Sequence, residues 1–238
     1  MNSYKWLLFD ADNTLFDFDA AEDYALTRTL LHFEVQPTPQ MKDCYRQVNS
    51  ALWAAFERGE ISQETILARR FANFLEAIGV QGESDQWGRY FENTLASSAP
   101  LLPGAEALCR RAAQKYTLAL ITNGVPFIQR SRLEHSTIAR YFADRVFISG
   151  EMGCRKPEKA YFDKVLEALG ARNQRGKVLV IGDSLSSDIR GAFNAQLDSV
   201  WLHWPTAKAG AIKPTYEVEN LAQLAEFLNA HRMVPIRP

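Results

Sequence analysis

The sequence predicts an α/β fold: a Rossmann-like parallel sheet with helices on both faces, together with an inserted bundle of helices. Two features of the chain indicate this fold. From residue 104 onward, short apolar runs of strand length alternate with amphipathic helical patterns, which is typical of βαβ units. Before that point, one apolar run near the N-terminus is followed by helical patterns alone as far as residue 96.

Composition and charge narrow the class of protein. The 238 residues can bury a full core, and the formal net charge of −1 gives no general attraction to nucleic acid or to a membrane, so neither is expected as a partner. Cys44, Cys109 and Cys154 form no CxxC pair, which argues against a disulfide framework and a thiolate zinc site and favours a reducing cytoplasm. The N-terminal apolar run is too short for a signal peptide and ends in an acid. For the oligomeric state, a monomer and a dimer are both compatible with the sequence.

The first predicted strand ends at a pair of carboxylates. Residues 6–9 form an unbroken apolar run, which is typical of a strand that is buried on both faces. Asp10 follows this run directly and Asp12 comes two residues later. Ligands of open α/β sheets bind just outside the carboxyl ends of the strands. Because two carboxylates this close repel each other, we expect a cation or a proton between them.

Four amphipathic helices are predicted next. Helices this short can bury their apolar stripes only against each other, so we expect a small bundle. This bundle is assigned to residues 17–97, and the α/β core to residues 1–16 and 98–238. The predicted helices cover residues 20–33, 40–57, 62–78 and 85–96, with Ser62 as the cap of the third.

The remainder of the chain alternates helices and strands. Each helix is expected to cross over the sheet and return the chain to a parallel strand. The predicted order is helix 104–115, strand 116–121, helix 126–135, strand 145–148, helix 157–169, strand 177–181, helix 186–195, strand 199–202 and helix 220–230.

Polar side chains follow the later strands as well. Thr122-Asn123-Gly124 closes one strand, Gly182-Asp183-Ser184 closes another, and Asp188 follows one helical turn later. Lys156-Pro157 opens the helix between them. Because the carboxyl ends of parallel strands share one edge, all these groups are expected beside Asp10. One ammonium, one hydroxyl and several carboxylates suit a divalent cation and a phosphoryl group.

Taken in order along the chain, these motifs resemble those of the haloacid dehalogenase-like (HAD) superfamily. The resemblance covers the whole chain and includes a helical cap inserted between the first two motifs. It implies a phosphomonoester hydrolase with a Rossmann-like core. The four motifs are Asp10-Ala-Asp12-Asn-Thr14, Thr122-Asn123-Gly124, Lys156-Pro157 and Gly182-Asp183-Ser184-x-x-x-Asp188.

The expected catalytic residues are Asp10, Asp12 and Lys156. Asp10 would attack phosphorus and form an aspartyl-phosphate. Asp12 would protonate the leaving alkoxide and later deprotonate the attacking water. Lys156 would neutralise the nucleophile and the phosphoryl oxygens.

The expected cofactor is Mg²⁺, with Mn²⁺ as a possible substitute. Its ligands would be Asp10, Asp183 and, by family resemblance, the backbone carbonyl of Asp12. Asp188 would hydrogen-bond a metal-bound water or Lys156, although a carboxylate in a first helical turn can also simply complement the helix dipole.

Phosphate binding is expected from Lys156, from the Thr122 hydroxyl and from the backbone N–H groups of Asn123 and Gly124. The alternative for residues 122–124 is an ordinary strand-to-helix turn. For Asp10 and Asp12 the alternative is a turn that closes the first strand.

The closer resemblance is to the bacterial pyrimidine 5′-nucleotidases. It rests on Val48-Asn-Ser-Ala-Leu-Trp53, followed by Gly59-Glu-Ile-Ser62. It implies a small phosphomonoester, a pyrimidine nucleoside 5′-monophosphate, as the substrate. Phe16 and Trp53 are the candidate rings for stacking on the base. A tryptophan in a helix stripe is also typical of a core, and that alternative stays open for Trp53.

Other activities stay open on the same residues. A sugar-phosphate phosphatase and a phosphomutase would differ only in the cap and its neighbours. A haloacid dehalogenase would use Asp10 against carbon, and it would leave Asp12 and Asp183 unexplained. A non-catalytic binding protein could share the fold, because fold alone does not determine function.

Overall fold

A six-stranded parallel sheet forms the centre of the molecule. The structure is a computed structural model and describes residues 4–203 and 212–230. The strand order is β3-β2-β1-β4-β5-β6, and each neighbouring pair is parallel. The predicted fold class is therefore confirmed. The strands are β1 (Trp6–Asp10), β2 (Thr117–Thr122), β3 (Val146–Ile148), β4 (Val178–Gly182), β5 (Asp198–Leu202) and β6 (Tyr216–Val218).

Strand β1 is central and buried on both faces, as its continuous apolar run predicted. Leu7 and Phe9 point to one face, where they pack in a cluster with residues of α5 (Ala105–Ala112) and α11 (Leu221–Ala230). Trp6 and Leu8 point to the other face, which α9 (Lys159–Ala168) and α10 (Arg190–Asn194) cover. This alternation follows from the two-residue period of a strand.

Four helices lie between β1 and β2 in the chain, and we call them the helical insertion. Side-chain caps explain where two of them begin: Thr38 accepts a hydrogen bond from the Met41 N–H, and Ser62 accepts one from the Thr65 N–H. Ser62 is thus the cap that the sequence predicted. The helices are α1 (Phe18–His32), α2 (Pro39–Glu57), α3 (Gln63–Ile78) and α4 (Ser84–Ala96).

The helical insertion has its own aromatic core, but its helices do not bury their stripes only on each other. Tyr45, Phe71 and Phe91 lie at the centre of this core. Val125 and Ile128 also belong to it, and Ile128 lies on α6 (Pro126–Glu134), the helix that follows β2. The expectation of a self-contained bundle was wrong in this respect, because α6 offers an additional apolar surface.

Four short elements of the described residues were not anticipated from sequence. They are β6, the one-turn helices α7 (Ala139–Phe142) and α8 (Ser149–Met152), and a 3₁₀ turn at Arg175–Lys177. Elements of three or four residues are too short to show a period in the sequence. The predicted helix 186–195 begins with a π-helical turn at Leu185–Ile189 before α10.

The two segments that connect the helical insertion to the sheet run side by side. The Asp17 N–H donates to Pro100 O and the Leu102 N–H donates to Leu15 O, each at 2.9 Å. Phe16 and Leu101 form an antiparallel bridge between these segments. Within residues 4–203 and 212–230, no helix is long and apolar enough to cross a membrane.

Candidate active site

The predicted motifs meet at one edge of the sheet because their strands are neighbours. Strand β1 lies between β2 and β4, with Asp10 opposite Ile121 and Phe9 opposite Ile181. Asp10 and Thr122 are therefore the last residues of adjacent strands, and Asp183 follows β4 directly.

Lys156 is the centre of the cluster. Its Nζ lies 2.5 Å from Asp10 Oδ1, 2.7 Å from Asp188 Oδ1 and 3.3 Å from Ile121 O. The side chain is only 2% exposed, so its charge requires partners inside the protein. Burial by itself would lower the pKa of Lys156, but Asp10 and Asp188 outweigh it and hold the pKa above its ordinary value. Lys156 is therefore a fixed cation beside the first strand.

The carboxylates around Lys156 are crowded. Burial raises the pKa of Asp10 to about 7; Lys156 opposes this shift, and Asp188 and Asp12 add to it. Burial also raises the pKa of Asp183 well above its ordinary range, with Asp10 and Asp188 as further causes. One lysine thus does not balance the negative charge of the cluster, and a further cation would relieve it.

Three of these carboxyl groups could hold a metal ion. Asp10, Asp183 and Asp188 each place an oxygen within 4.8 Å of the others. Hard carboxylate oxygens are the ligands that Mg²⁺ prefers. The donor set of this edge therefore fits a hard divalent cation.

Asp188 is held in place by its own loop as well as by Lys156. The Ser184 N–H donates to Asp188 Oδ2 at 3.1 Å, and the Asp188 side chain is fully buried. A Cβ atom at position 182 would lie 2.2 Å from Asp188 Oδ2, so only glycine fits there. The sequence suggested two partners for Asp188, a metal-bound water or Lys156, and the structure places Lys156 Nζ 2.7 Å from Asp188 Oδ1.

The loop after β2 holds the backbone of Lys156. Asn123 Nδ2 donates to Lys156 O at 2.9 Å, and the Lys156 N–H donates to Asn123 Oδ1 at 3.0 Å. The side chain of Asn123 thus clamps the lysine loop, a contact that the sequence did not suggest. The Gly124 N–H donates to Thr122 Oγ1 at 3.0 Å, which leaves the hydroxyl hydrogen of Thr122 for another acceptor.

The carboxylate of Asp12 is turned toward α6. Gln129 Nε2 donates to Asp12 Oδ2 at 2.6 Å, and Arg132 Nη1 donates to Asp12 Oδ1. Sequence reasoning missed both partners. Gln129 and Arg132 are three residues apart and so share a face of a helix that was predicted, which is the signal that could have found them.

The candidate stacking rings have different surroundings. Phe16 is fully buried and lies in the core between the sheet and α5, with the guanidinium of Arg132 over its ring. Trp53 is half-buried and meets Phe56 edge to face, with ring centroids 5.6 Å apart. Of these two rings, Trp53 is the one with an exposed portion.

The helical insertion lies directly against this edge of the sheet. Ser186 Oγ donates to Glu57 Oε2 at 2.6 Å, and Gln63 Nε2 donates to Asn123 O at 3.0 Å. The guanidinium of Arg155 lies 4.6 Å from the ring centroid of Phe56. The junction of α2 and α3 therefore covers the loops that carry the buried carboxylates.

A buried lysine, a hydroxyl whose hydrogen is available and crowded carboxylates at one strand edge are typical of an enzyme that acts on an anionic substrate. Comparison with known proteins agrees with this class. Residues 4–196 match the family model of the haloacid dehalogenase-like hydrolases. The chain belongs to this family and is a phosphatase of it, as the nucleotidases among its relatives indicate.

Several relatives match nearly the whole chain, among them three at 35–36% identity. The pyrimidine 5′-nucleotidase PynA of Streptococcus pneumoniae is 35% identical over 95% of each chain. The pyrimidine 5′-nucleotidase YjjG of Escherichia coli is 36% identical over 96% of this chain and 99% of its own. The HAD-hydrolase YfnB of Bacillus subtilis is 35% identical over 98% of this chain and 99% of its own. A crystal structure of YfnB bound to magnesium, which revealed interdomain movement, matches with a TM-score of 0.89 at 34% identity, covering 95% of this chain and 99% of that one.

Proposed function

We propose that this phosphatase hydrolyses nucleoside 5′-monophosphates, with a preference for pyrimidine bases, through an aspartyl-phosphate on Asp10. The observation that carries the proposal is the buried contact of 2.5 Å between Lys156 Nζ and Asp10 Oδ1 at the carboxyl end of β1. The substrate class is supported by PynA and YjjG, which are pyrimidine 5′-nucleotidases.

Mg²⁺ is the proposed cofactor, and Mn²⁺ is expected to substitute for it. The proposed ligands are the side chains of Asp10 and Asp183 and the backbone carbonyl of Asp12. Asp188 belongs to the same group of close carboxylates, but its Oδ1 accepts from Lys156, and we assign it to holding that lysine. Bound at this edge, the cation would offset the charge of the carboxylates and of the phosphate.

In the first step, a carboxylate oxygen of Asp10 attacks phosphorus while the bond from phosphorus to the ester oxygen breaks. Lys156 favours the ionised form of Asp10, because it opposes the rise in pKa that burial causes, and it offsets the charge on the phosphoryl oxygens. Asp12 donates a proton to the departing alkoxide. In the second step, Asp12 takes a proton from water and the water oxygen attacks phosphorus. The bond from phosphorus to the Asp10 oxygen breaks, which regenerates the Asp10 carboxylate and releases inorganic phosphate.

The phosphoryl group is expected to lie between Lys156 and the loop after β2. The Thr122 hydroxyl and the backbone N–H of Asn123 are its proposed donors there. The Gly124 N–H is occupied by Thr122 Oγ1 in this structure, so its proposed part is to orient that hydroxyl. These proposed donors all contact the phosphoryl group and none contacts the leaving group. They therefore support binding of a phosphomonoester whatever its leaving group is.

Residues 17–97 are the proposed cap, and residues 1–16 and 98–238 the core domain. The contacts of Glu57 and Gln63 with loops of the sheet support a cap that closes over the site. Interdomain movement in YfnB supports a cap that also opens. Closure would exclude water from the reacting phosphate and restrict substrates to small molecules.

The base is proposed to stack on the exposed part of Trp53, since Phe16 is enclosed in the core. Stacking on a ring is worth about 1–3 kcal/mol per base.

The cysteines are free thiols, which supports a reducing cytoplasm as the location of the enzyme.

The test is kcat/KM for phosphate release across UMP, dUMP, dTMP, CMP, AMP, GMP and a set of hexose and triose phosphates. We expect the pyrimidine nucleotides to lead. A hexose phosphate that is preferred by more than about tenfold, or 1.4 kcal/mol, would replace the nucleotide assignment with a sugar phosphatase. Equal rates for purines and pyrimidines would keep the nucleotidase and remove the base preference.

A further inference from the structure

Arg132 of α6 touches three parts of the molecule at once. Its Nη1 donates to Asp12 Oδ1, and its Nε donates to Ser98 O at 3.1 Å. Its guanidinium lies 4.7 Å from the ring centroid of Phe16 and 5.6 Å from that of Phe18. The side chain is fully buried. Two hydrogen bonds and two ring contacts therefore restrain this buried cation.

These contacts join Asp12 to both segments that connect the helical insertion to the sheet. Phe16 lies in the first connecting segment and Phe18 begins α1, directly after it. Ser98 lies in the second segment, which pairs with the first through the bridge between Phe16 and Leu101. A shift of either segment would therefore displace the guanidinium that holds Asp12.

Gln129 completes the restraint on Asp12. It donates to Asp12 Oδ2 while Arg132 donates to Oδ1, so both carboxylate oxygens have a donor from α6. A Cβ atom at position 124 would lie 2.1 Å from Gln129 Nε2, so Gly124 is required for the amide to reach Asp12. The Asp12 side chain is 25% exposed, and these two donors hold its carboxylate toward α6.

We propose that Arg132 is a positioning residue for the acid–base step: it orients the Asp12 carboxylate and transmits to it the position of the segments that carry the cap. This role rests on the proposed function, in which Asp12 protonates the leaving alkoxide. In this proposal Arg132 acts through its hydrogen bond to Asp12. Gln129 supports the same orientation from the second oxygen.

The test uses two leaving groups that differ in their need for a proton. The alkoxide of UMP requires protonation as it leaves, whereas 2,4-dinitrophenolate is stable without a proton. The variants are Arg132→Met, Arg132→Lys and Gln129→Met, and the matched control is Arg130→Met. Arg130 lies on the same helix, is 49% exposed and pairs with Glu151. The measured quantity is the single-turnover rate of ester cleavage for UMP and for 2,4-dinitrophenyl phosphate in the Mg²⁺-loaded enzyme.

We expect Arg132→Met to slow UMP cleavage by about 10²–10⁴-fold, the usual contribution of general acid catalysis, and to slow dinitrophenolate release far less. Arg132→Lys keeps the charge and should recover part of the UMP rate. Gln129→Met should show the same selective loss on a smaller scale, and Arg130→Met should leave both rates unchanged. If Arg132→Met does not fold, as judged by circular dichroism, Arg132→Lys and Gln129→Met carry the same comparison.

Equal losses for both substrates would overturn the proposal, because a merely structural role would not distinguish leaving groups. An Arg132→Met enzyme with the wild-type UMP rate would overturn it as well. Wild-type enzyme that cleaved neither substrate would refute the proposed function itself, and that outcome is distinct from a wild-type enzyme whose variants show no selectivity.

Discussion

Replacement of Lys156 by methionine should both destabilise the protein and abolish its activity. Methionine keeps the length and apolar stem of the side chain and removes the ammonium. The change leaves Asp10 and Asp188 without the cation that now lies 2.5 and 2.7 Å from them. Removal of one partner from a buried ion pair costs about 3–5 kcal/mol. For a chain of this size that loss corresponds to a fall of about 6–20 °C in Tm.

The expected effect depends on pH with a definite sign. Burial raises the pKa of Asp10 to about 7, and Lys156 opposes this rise. Without the lysine, Asp10 becomes harder to ionise, so the variant should lose most stability above pH 7 and recover as the carboxyl groups gain protons at lower pH. A protonated Asp10 cannot attack phosphorus, so kcat should fall at every pH at which the wild type is active.

Lys159→Met is the matched control. Lys159 is also a lysine paired with an aspartate, Asp163, at 2.5 Å, but it is 53% exposed. Exposed pairs are worth about 0–1 kcal/mol, so this variant should keep its Tm within a few degrees and its full activity. The assays are thermal unfolding in chelator between pH 5 and 9 and phosphate release from UMP in Mg²⁺.

The double variant Lys156→Met/Asp188→Asn tests the physical reasoning. The second change removes one of the two buried carboxylates left without a cation, so the double variant should be more stable than Lys156→Met alone while staying inactive. The argument would fail if Lys156→Met lost no more stability than Lys159→Met. It would also fail if the double variant were the less stable of the two.

Further predictions concern the carboxylates and the metal ion. Asp10→Asn should fold and lose turnover, because an amide cannot act as the nucleophile; near-normal kcat in Asp10→Asn would reassign the nucleophile. Beryllium fluoride should inhibit the wild type as a mimic of the aspartyl-phosphate. In chelator, the free energy of unfolding should fall as pH rises from about 4 to 7, because Asp10 binds a proton more tightly in the folded chain than in the unfolded one. Mg²⁺ should therefore raise Tm more at pH 8 than at pH 5, and turnover after exhaustive chelation would contradict the metal requirement.

The carboxyl-end cluster could be predicted from sequence because topology places it. Each motif directly follows an apolar run of strand length, and neighbouring parallel strands bring their carboxyl ends to one edge. Asp10, Thr122 and Asp183 therefore converge whatever the details of packing. The cap of α3 by Ser62 and the alternation of strands and helices could also be predicted, because each depends on residues that are close together in the sequence.

Tertiary structure alone decided which side chains hold those groups. Arg132 is 120 residues from Asp12 in the chain, and Asn123 is 33 residues from Lys156. Helical periodicity places Gln129 and Arg132 on one face, but it does not say what that face meets. Their contact with Asp12 depends on how α6 packs between the sheet and the helical insertion. The sequence thus determined where the chemistry lies, and the packing of the helices determined how Asp12 and Lys156 are held, because orientation depends on contacts between distant parts of the chain.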